Sequence, residues 1–220
     1  MLRSTPKDGN ARAVLGDPPM ASKLPLLLLL IAVTCLSQFY RVSNSVIAPE
    51  LARDLGLTAR QLGWAGSAFF FALFAVQVPV GMGFDRYGAR RTVTALSFVA
   101  MAGALWIAQA SEAADLIGAR AVVGVGCAAS FMSVVFLCSR WFKPANLAAA
   151  LSWVFAASNI GTLAAATPLA WIAATIGWRN GFLGLAAVTV VVAICFYVFV
   201  RDRPPGADAP AVRHEGVAEI

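Results

Sequence analysis

The chain has 220 residues, 60% hydrophobic and 13% charged, with a mean hydropathy of +0.75. A soluble domain carries about a quarter charged residues, so this composition excludes a soluble domain and indicates an all-α membrane protein with several crossings. The net charge of +6 does not point to nucleic acid, because most basic residues flank apolar runs and form no basic face with interleaved aromatics.

Residues 1–23 carry Arg3, Lys7, Arg12 and Lys23 among Pro, Gly and Asp and read as a disordered cytoplasmic tail. Apolar sequence then runs through Leu24–Ala48 with no small-x-small cleavage site, so it reads as a retained first helix that Pro49 ends. The loop Pro49–Leu57 bears Glu50, Arg53 and Asp54, and Thr58-Ala59-Arg60-Gln61 has the capping-box spacing that opens a second helix, Ala59–Met82. Gly81–Arg91 concentrates Asp85, Arg86, Arg90 and Arg91 between turn glycines; such charge is excluded from hydrocarbon, which predicts a tight loop at a membrane face.

The third helix is expected over Thr92–Ala110. Ser111 and Glu112 suit the start of a fourth, Glu112–Cys138, followed by the turn Arg140–Pro144. A long fifth helix, Ala145–Ile176, contains Gly161 and Pro168 and is expected to bend or break there. Gly177–Asn180 turns the chain into the sixth helix, Gly181–Val200, and Arg201–Ile220 is a Pro/Ala/charged tail or the start of a linker. The domain organisation is thus a tail over 1–23, a six-helix bundle over 24–200 and a second tail over 201–220.

With six crossings both termini share a side. Twelve Lys and Arg then fall inside, three outside (Arg53, Arg60, Arg179) and two within helices (Arg41, Arg120), which by the positive-inside rule makes both termini cytoplasmic. Trp64, Trp106, Trp171 and Trp178 near outer ends and Trp141 near an inner end suit interfacial anchors. Small residues four apart, Ala100/Ala104, Gly124/Ala128 and Ala157/Gly161, allow close helix contact. Cys35, Cys127, Cys138 and Cys195 lie in apolar runs without metal-ligand spacing, and His214 is in the tail, so neither a metal site nor a cofactor is expected.

The segment Gly81-Met82-Gly83-Phe84-Asp85-Arg86-Tyr87-Gly88-Ala89-Arg90-Arg91 resembles the signature between the second and third helices of the major facilitator superfamily, Gly-x-Leu-x-Asp-Arg-x-Gly-Arg-Arg-Arg. Gly81, Asp85, Arg86, Gly88, Arg90 and Arg91 match, whereas Gly83 stands where the pattern has Leu and Ala89 where it has Arg. Arg120, Gly124 and Gly126 resemble the fourth-helix pattern Arg-x-x-x-Gly-x-Gly, and Gly177-Trp178-Arg179 with Phe182 resembles the turn before the sixth helix in many bacterial members. The antiporter pattern Gly-Pro-x-x-Gly-Gly is absent around Pro168. The resemblance implies the N-terminal half of the superfamily fold, made of two inverted three-helix repeats, with solute bound near the midplane against a second half. It implies a second six-helix half or a homodimer partner, and it leaves open whether the chain is a truncated product.

Arg41 lies inside the first helix, where an arginine costs at least ~2.5–3.5 kcal/mol on insertion scales. It either snorkels toward the outer interface or faces a solute, with Gln38 and Asn44 on neighbouring helical faces. Tyr40-Arg41 followed by Pro49 resembles the first helix of organic anion transporters in the superfamily, where the arginine grips the anion. Arg120 is at similar depth and either binds a solute or makes an internal ion pair or carbonyl contact that orients the fourth helix. Asn159, beside Gly161, either lines a cavity or bonds between helices. By the resemblance, Asp85 with the neighbouring arginines latches the outward-facing state against the other half. No Asp or Glu falls in the membrane interior of any of the six expected helices, which disfavours a cationic solute.

No nucleophile/base pair, metal cluster or phosphate-cradling loop suggests an enzyme. The function expected is therefore secondary transport of a small anionic organic solute by alternating access, by a multi-pass protein of the bacterial inner membrane. The alternative is a non-transporting membrane scaffold or a degraded remnant of a transporter.

Overall fold

The computed structural model describes residues 20–203, and every regular element among them is a helix. They are α1 (Met20–Val46), α2 (Ala48–Leu55), α3 (Ala59–Ala75), α4 (Gln77–Gln109), α5 (Ala113–Cys127), α6 (Ala129–Trp141), α7 (Pro144–Ile172) and α8 (Trp178–Phe199). A π-helical turn, Ala173–Gly177, joins the last two. Phe71, Phe74, Val78, Trp153, Leu163 and Phe199 point outward. Water would not tolerate so apolar a surface, whereas lipid tails solvate it.

Among the described residues, four stretches are long and apolar enough to cross a membrane by length and composition: Lys23–Val46, Gln77–Gln109, Ala113–Trp141 and Thr175–Phe199. The other two expected passes are also present as helix. One is α3 with the start of α4, interrupted at Val76 (φ -95°, ψ 3°) although the Val76 N–H still bonds the Ala72 carbonyl. The other is α7.

The packing reveals the internal repeat. Number the passes one (α1), two (α3 with early α4), three (late α4), four (α5 and α6), five (α7) and six (α8). Then α1 packs on α7 as α3 packs on α5, and α4 on α5 as α1 on α8. Exchanging the first three passes for the last three maps each pair onto the other, and the α4–α8 contact onto itself. This is the arrangement that two repeated three-helix units produce. Gly124 and Gly126 make two of these crossings close, because a Cβ at either position would overlap the backbone of Phe69 or Ala100.

Several expectations need correction. The segment expected to be a tight loop is helical throughout except at Gly88 (φ 81°, ψ 170°). Its arginines are good helix formers, and the glycine alone supplies the left-handed conformation needed to reverse the chain. Pro49 does not end a helix into a loop but opens α2, where its missing N–H costs nothing, and Gly56 (φ 62°) closes that helix. Lys23, placed in the tail, belongs to α1, is buried, and stacks its ammonium on the Phe142 ring at 5.0 Å. The expected fourth helix divides at Ala128, whose N–H bonds the Val125 carbonyl, three residues back. In the fifth, helix continues through Gly161 and Pro168, and the irregularity falls at the π turn. The Thr58 capping box is present as expected. Residues 1–19 and 204–220, including His214, lie outside the described residues.

Candidate functional site

Gln38, Arg41 and Asn44 recur every third residue of α1 and so share one broad face of it. The Arg41 guanidinium lies over two aromatic rings, Phe131 of α6 at 5.3 Å and Phe70 of α3 at 5.6 Å. Both rings come from the middle of their passes, so the head group is directed into the bundle and not along α1 toward its end. Two cation–π contacts near the outer limit of that interaction offset about 1–2 kcal/mol, less than the ~2.5–3.5 kcal/mol cost of an intramembrane arginine. Arg41 Nε, Gln38 Oε1 and Asn44 Oδ1 are buried and lack hydrogen-bond partners among the described residues. Gln38 donates from Nε2 to Asn159 Oδ1 at 3.2 Å, and Asn44 from Nδ2 to the Leu62 carbonyl at 3.5 Å. Asn159 in turn donates to the Phe155 carbonyl, and the Phe155 ring stacks on Phe131. Four elements, α1, α3, α6 and α7, therefore converge on one cation with spare hydrogen-bonding capacity around it.

Arg120 stands apart from this face. It is 1% exposed, donates from one terminal nitrogen to the Tyr40 carbonyl at 2.8 Å and Ser43 Oγ at 3.3 Å, and packs over Phe69. It grips α1 at the residue preceding Arg41 and so positions that turn, while its Nε and second terminal nitrogen are buried without partners among the described residues. Tyr40 also reaches across to Thr189 of α8, with its hydroxyl 2.9 Å from Thr189 Oγ1.

In the signature segment Asp85, Arg86 and Arg91 are exposed, and Arg86 lies over the Tyr87 ring at 5.4 Å. Gly88 and Arg90 instead meet the end of α8. The Arg90 backbone N–H donates to Asp202 Oδ1 at 2.8 Å, its Nε donates to the Tyr197 carbonyl, and its guanidinium lies 4.2 Å from the Tyr197 ring centre. A Cβ at Gly88 would overlap the Asp202 carboxylate, so glycine is required there twice, for φ and for space. Asp202 thus caps the helix that restarts after Gly88. Gly81 stands seven residues earlier on the same helix.

The opposite end of α8 is fastened to α2 and α4. Trp178, 1% exposed, donates from Nε1 to Asp54 Oδ2 at 2.8 Å. Arg179 lies 3.8 Å from the same carboxylate and donates to the Ala110 carbonyl at 3.1 Å. Trp178 is therefore not the interfacial anchor that sequence suggested; burial against Asp54 satisfies its indole. Trp141 is likewise buried and donates to the Arg201 carbonyl at 3.1 Å. Trp64, Trp106 and Trp171 are exposed, as anchors should be.

Sequence reading passed over Phe70, Phe131, Asp54 and Asp202. Asp202 carried a signal, being a single acid between two arginines at the end of the sixth helix. The aromatic partners of Arg41 carried none, since a phenylalanine in an apolar helix is unremarkable until its neighbours are known.

The chain resembles known transporters over most of its length. It is 27% identical, over 80% of this chain, to a probable sulfoacetate transporter of Cupriavidus necator, and 26% identical, over 88%, to the hexuronate transporter of Bacillus subtilis. It spans 42% and 46% of those relatives' own lengths. Among solved structures, a bacterial homologue of the human lysosomal transporter Spinster, in an inward-facing and unoccupied conformation, superposes with a TM-score of 0.72 at 18% identity, covering 90% of this chain and 47% of that one. The proton:xylose symporter XylE, bound to 6-bromo-6-deoxy-D-glucose, gives a TM-score of 0.69 at 15% identity, covering 81% and 45%. The family model described as Major Facilitator Superfamily matches residues 28–219, in keeping with the signature segment and the paired three-helix packing. These matches are to a transporter family and not to enzymes, and the chain is a multi-pass membrane protein belonging to the major facilitator superfamily.

Proposed function

We propose that this chain forms one half of a secondary transporter that moves a small organic anion by alternating access, with Arg41 as the group that grips the anion. The observation that carries the reading is the Arg41 guanidinium held between Phe70 and Phe131, its buried Nε lacking an acceptor among the described residues; the unpartnered Gln38 and Asn44 oxygens are acceptors and would take a hydroxyl of the solute, not its charged group. A carboxylate or sulfonate would supply the missing acceptor in a low-dielectric setting, where such a bond is strong. Relatives named for sulfoacetate and hexuronate support the same charge class. Gln38, Asn44 and Asn159 line the solute's polar side, and Arg120 supports it by holding the Tyr40–Ser43 turn.

The orientation follows from charge. The end bearing the signature segment, Arg140 and Lys143 faces the cytoplasm of the inner membrane, with both termini on that side. The bundle begins with α1 at Met20 and ends with α8 at Phe199, and the residues after it lead into a tail or linker. A second six-helix unit, supplied by another polypeptide segment or by a second copy of the chain, covers the Arg41 face. In that assembly Gly81, Asp85, Arg86, Gly88, Arg90 and Arg91 form the latch between conformations. The rival reading, a scaffold or remnant that does not transport, has no observation in its favour that the transporter reading lacks.

The test is anion binding by the purified full chain in detergent, measured by calorimetry against a panel of sulfonates and hexuronates. Arg41→Lys keeps the charge but loses the planar fork, and affinity is expected to fall about ten- to a hundredfold. Equal affinity of parent and variant at equal folded fraction removes Arg41 from the site. An absence of anion binding by the parent chain rejects the proposal for the chain on its own.

A further inference from the structure

A groove of about 390 Å³ separates the part of α4 before Gly88 from the part after it. Its depth is walled by Val76, Val80, Leu96 and Val125, and its rim by Pro79, Tyr87, Arg91 and Ala95, all four exposed. From Gly83 to Val76 the wall runs seven residues of helix, about 10 Å, or some two-thirds of a hydrocarbon leaflet. An outward-opening apolar groove of that depth in a membrane protein is solvated by an acyl chain, since water has no partners there.

The basic end of the groove is chemically different. Arg91 and Tyr87 stand at the rim, and Arg86 is exposed just before Tyr87. The Thr92 hydroxyl is buried in the wall without a hydrogen-bond partner among the described residues. A Cβ built on Gly83 would come 3.5 Å from that hydroxyl and 3.3 Å from the Thr92 methyl, so Thr92 faces the space that a side chain at 83 would take. Gly83 stands where the signature pattern has Leu, and a leucine there would fill this end.

We propose that the groove is a binding site for one anionic phospholipid, with an acyl chain along Val76, Val80, Leu96 and Val125 and the phosphate on Arg91. The Thr92 hydroxyl donates to a phosphate or glycerol-ester oxygen. Charge complementarity selects the headgroup, because a guanidinium at the interface favours an anionic lipid and presents two donors to a phosphate. The glycine in place of leucine opens the site in this chain. The groove shares no lining residue with the Arg41 contacts, it shares Arg91 with the proposed latch, and its test reads lipid retention and does not involve transport.

Native mass spectrometry of the purified full chain, titrated with phosphatidylglycerol or phosphatidylcholine of identical acyl chains, tests it. We expect one tightly retained phosphatidylglycerol per chain, held about fivefold more tightly than phosphatidylcholine, and loss of that preference in Arg91→Ala but not in Arg91→Lys. Gly83→Leu is expected to weaken retention of both lipids; Ala95→Phe, which closes the groove from the other wall, does the same if the first variant misfolds. Equal retention of the two lipids by the parent overturns the proposal, as does phosphatidylglycerol binding unchanged by both groove-filling variants. Displacement of the lipid by an equal concentration of inorganic phosphate also overturns it, since the acyl groove would then contribute nothing.

Discussion

At the two ends of α8 the polar groups are paired with one another, whereas along the Arg41 face of α1 they are left partly unpaired. Trp178 and Arg179 share Asp54 at one end, and Arg90 meets Asp202 and the Tyr197 carbonyl at the other. On α1, Arg41, Gln38 and Asn44 keep buried atoms without partners among the described residues. The same residue types thus serve opposite ends: closed networks fix where helices sit, and an open one leaves a charge to be answered by something outside the chain. The contrast separates stability from binding and can be tested on that basis.

The largest effect on the closed side is expected from Trp178→Ala. It removes a fully buried indole and its bond to Asp54, for a loss of about 3–5 kcal/mol of stability, read as a lower thermal midpoint in detergent. A change no larger than that of an exposed site would show that the Asp54 network does not hold α8.

On the open side, Arg41→Ala is expected to leave the thermal midpoint nearly unchanged or raised, because the side chain's insertion cost goes with it, while anion affinity falls by about 1.5–3 kcal/mol. Destabilisation as large as that of Trp178→Ala would place Arg41 among the structural residues.

Asp202→Ala should cost about 0.5–2 kcal/mol, the value of a helix cap, with no change in anion affinity. Comparison with Asp202→Asn, which keeps an acceptor oxygen, apportions the effect between hydrogen bond and charge. For Arg179→Ala the charge part is expected to be smallest: its pairing with Asp54 is at 3.8 Å with both side chains 45% exposed and contributes about 1 kcal/mol or less, apart from the lost bond to the Ala110 carbonyl, and the salt-sensitive share is that ion pair. High salt should remove most of it.

The all-helical, membrane-spanning character and the rough positions of the apolar runs were legible because run length and flanking charge are one-dimensional properties. The Thr58 cap was legible because its chemistry is complete within four residues. Helix ends were misjudged where one residue type has two uses. Pro49 begins a helix as readily as it ends one, and a charged segment can stay helical at an interface with only Gly88 breaking it. Among the site residues, the α1 stripe could be read from its spacing. Its setting could not, since Phe70, Phe131 and Asn159 come from three other helices.

Sequence by itself determined that this chain lies in a membrane, and its signature and repeat glycines pointed to the family that the comparisons establish. It also marked Arg41 and Arg120 as the two costly cations, since burying a guanidinium in hydrocarbon is expensive wherever it occurs. Only the tertiary structure separated them, enclosing Arg120, 1% exposed, against the Tyr40 carbonyl and Ser43, and setting the less buried Arg41 between two rings beside Gln38 and Asn44; both keep buried nitrogens without partners among the described residues. The physical reason is that an apolar run shows in sequence that an arginine lies in the membrane, whereas the groups that meet its charge come from other helices, as Phe70 and Phe131 do for Arg41.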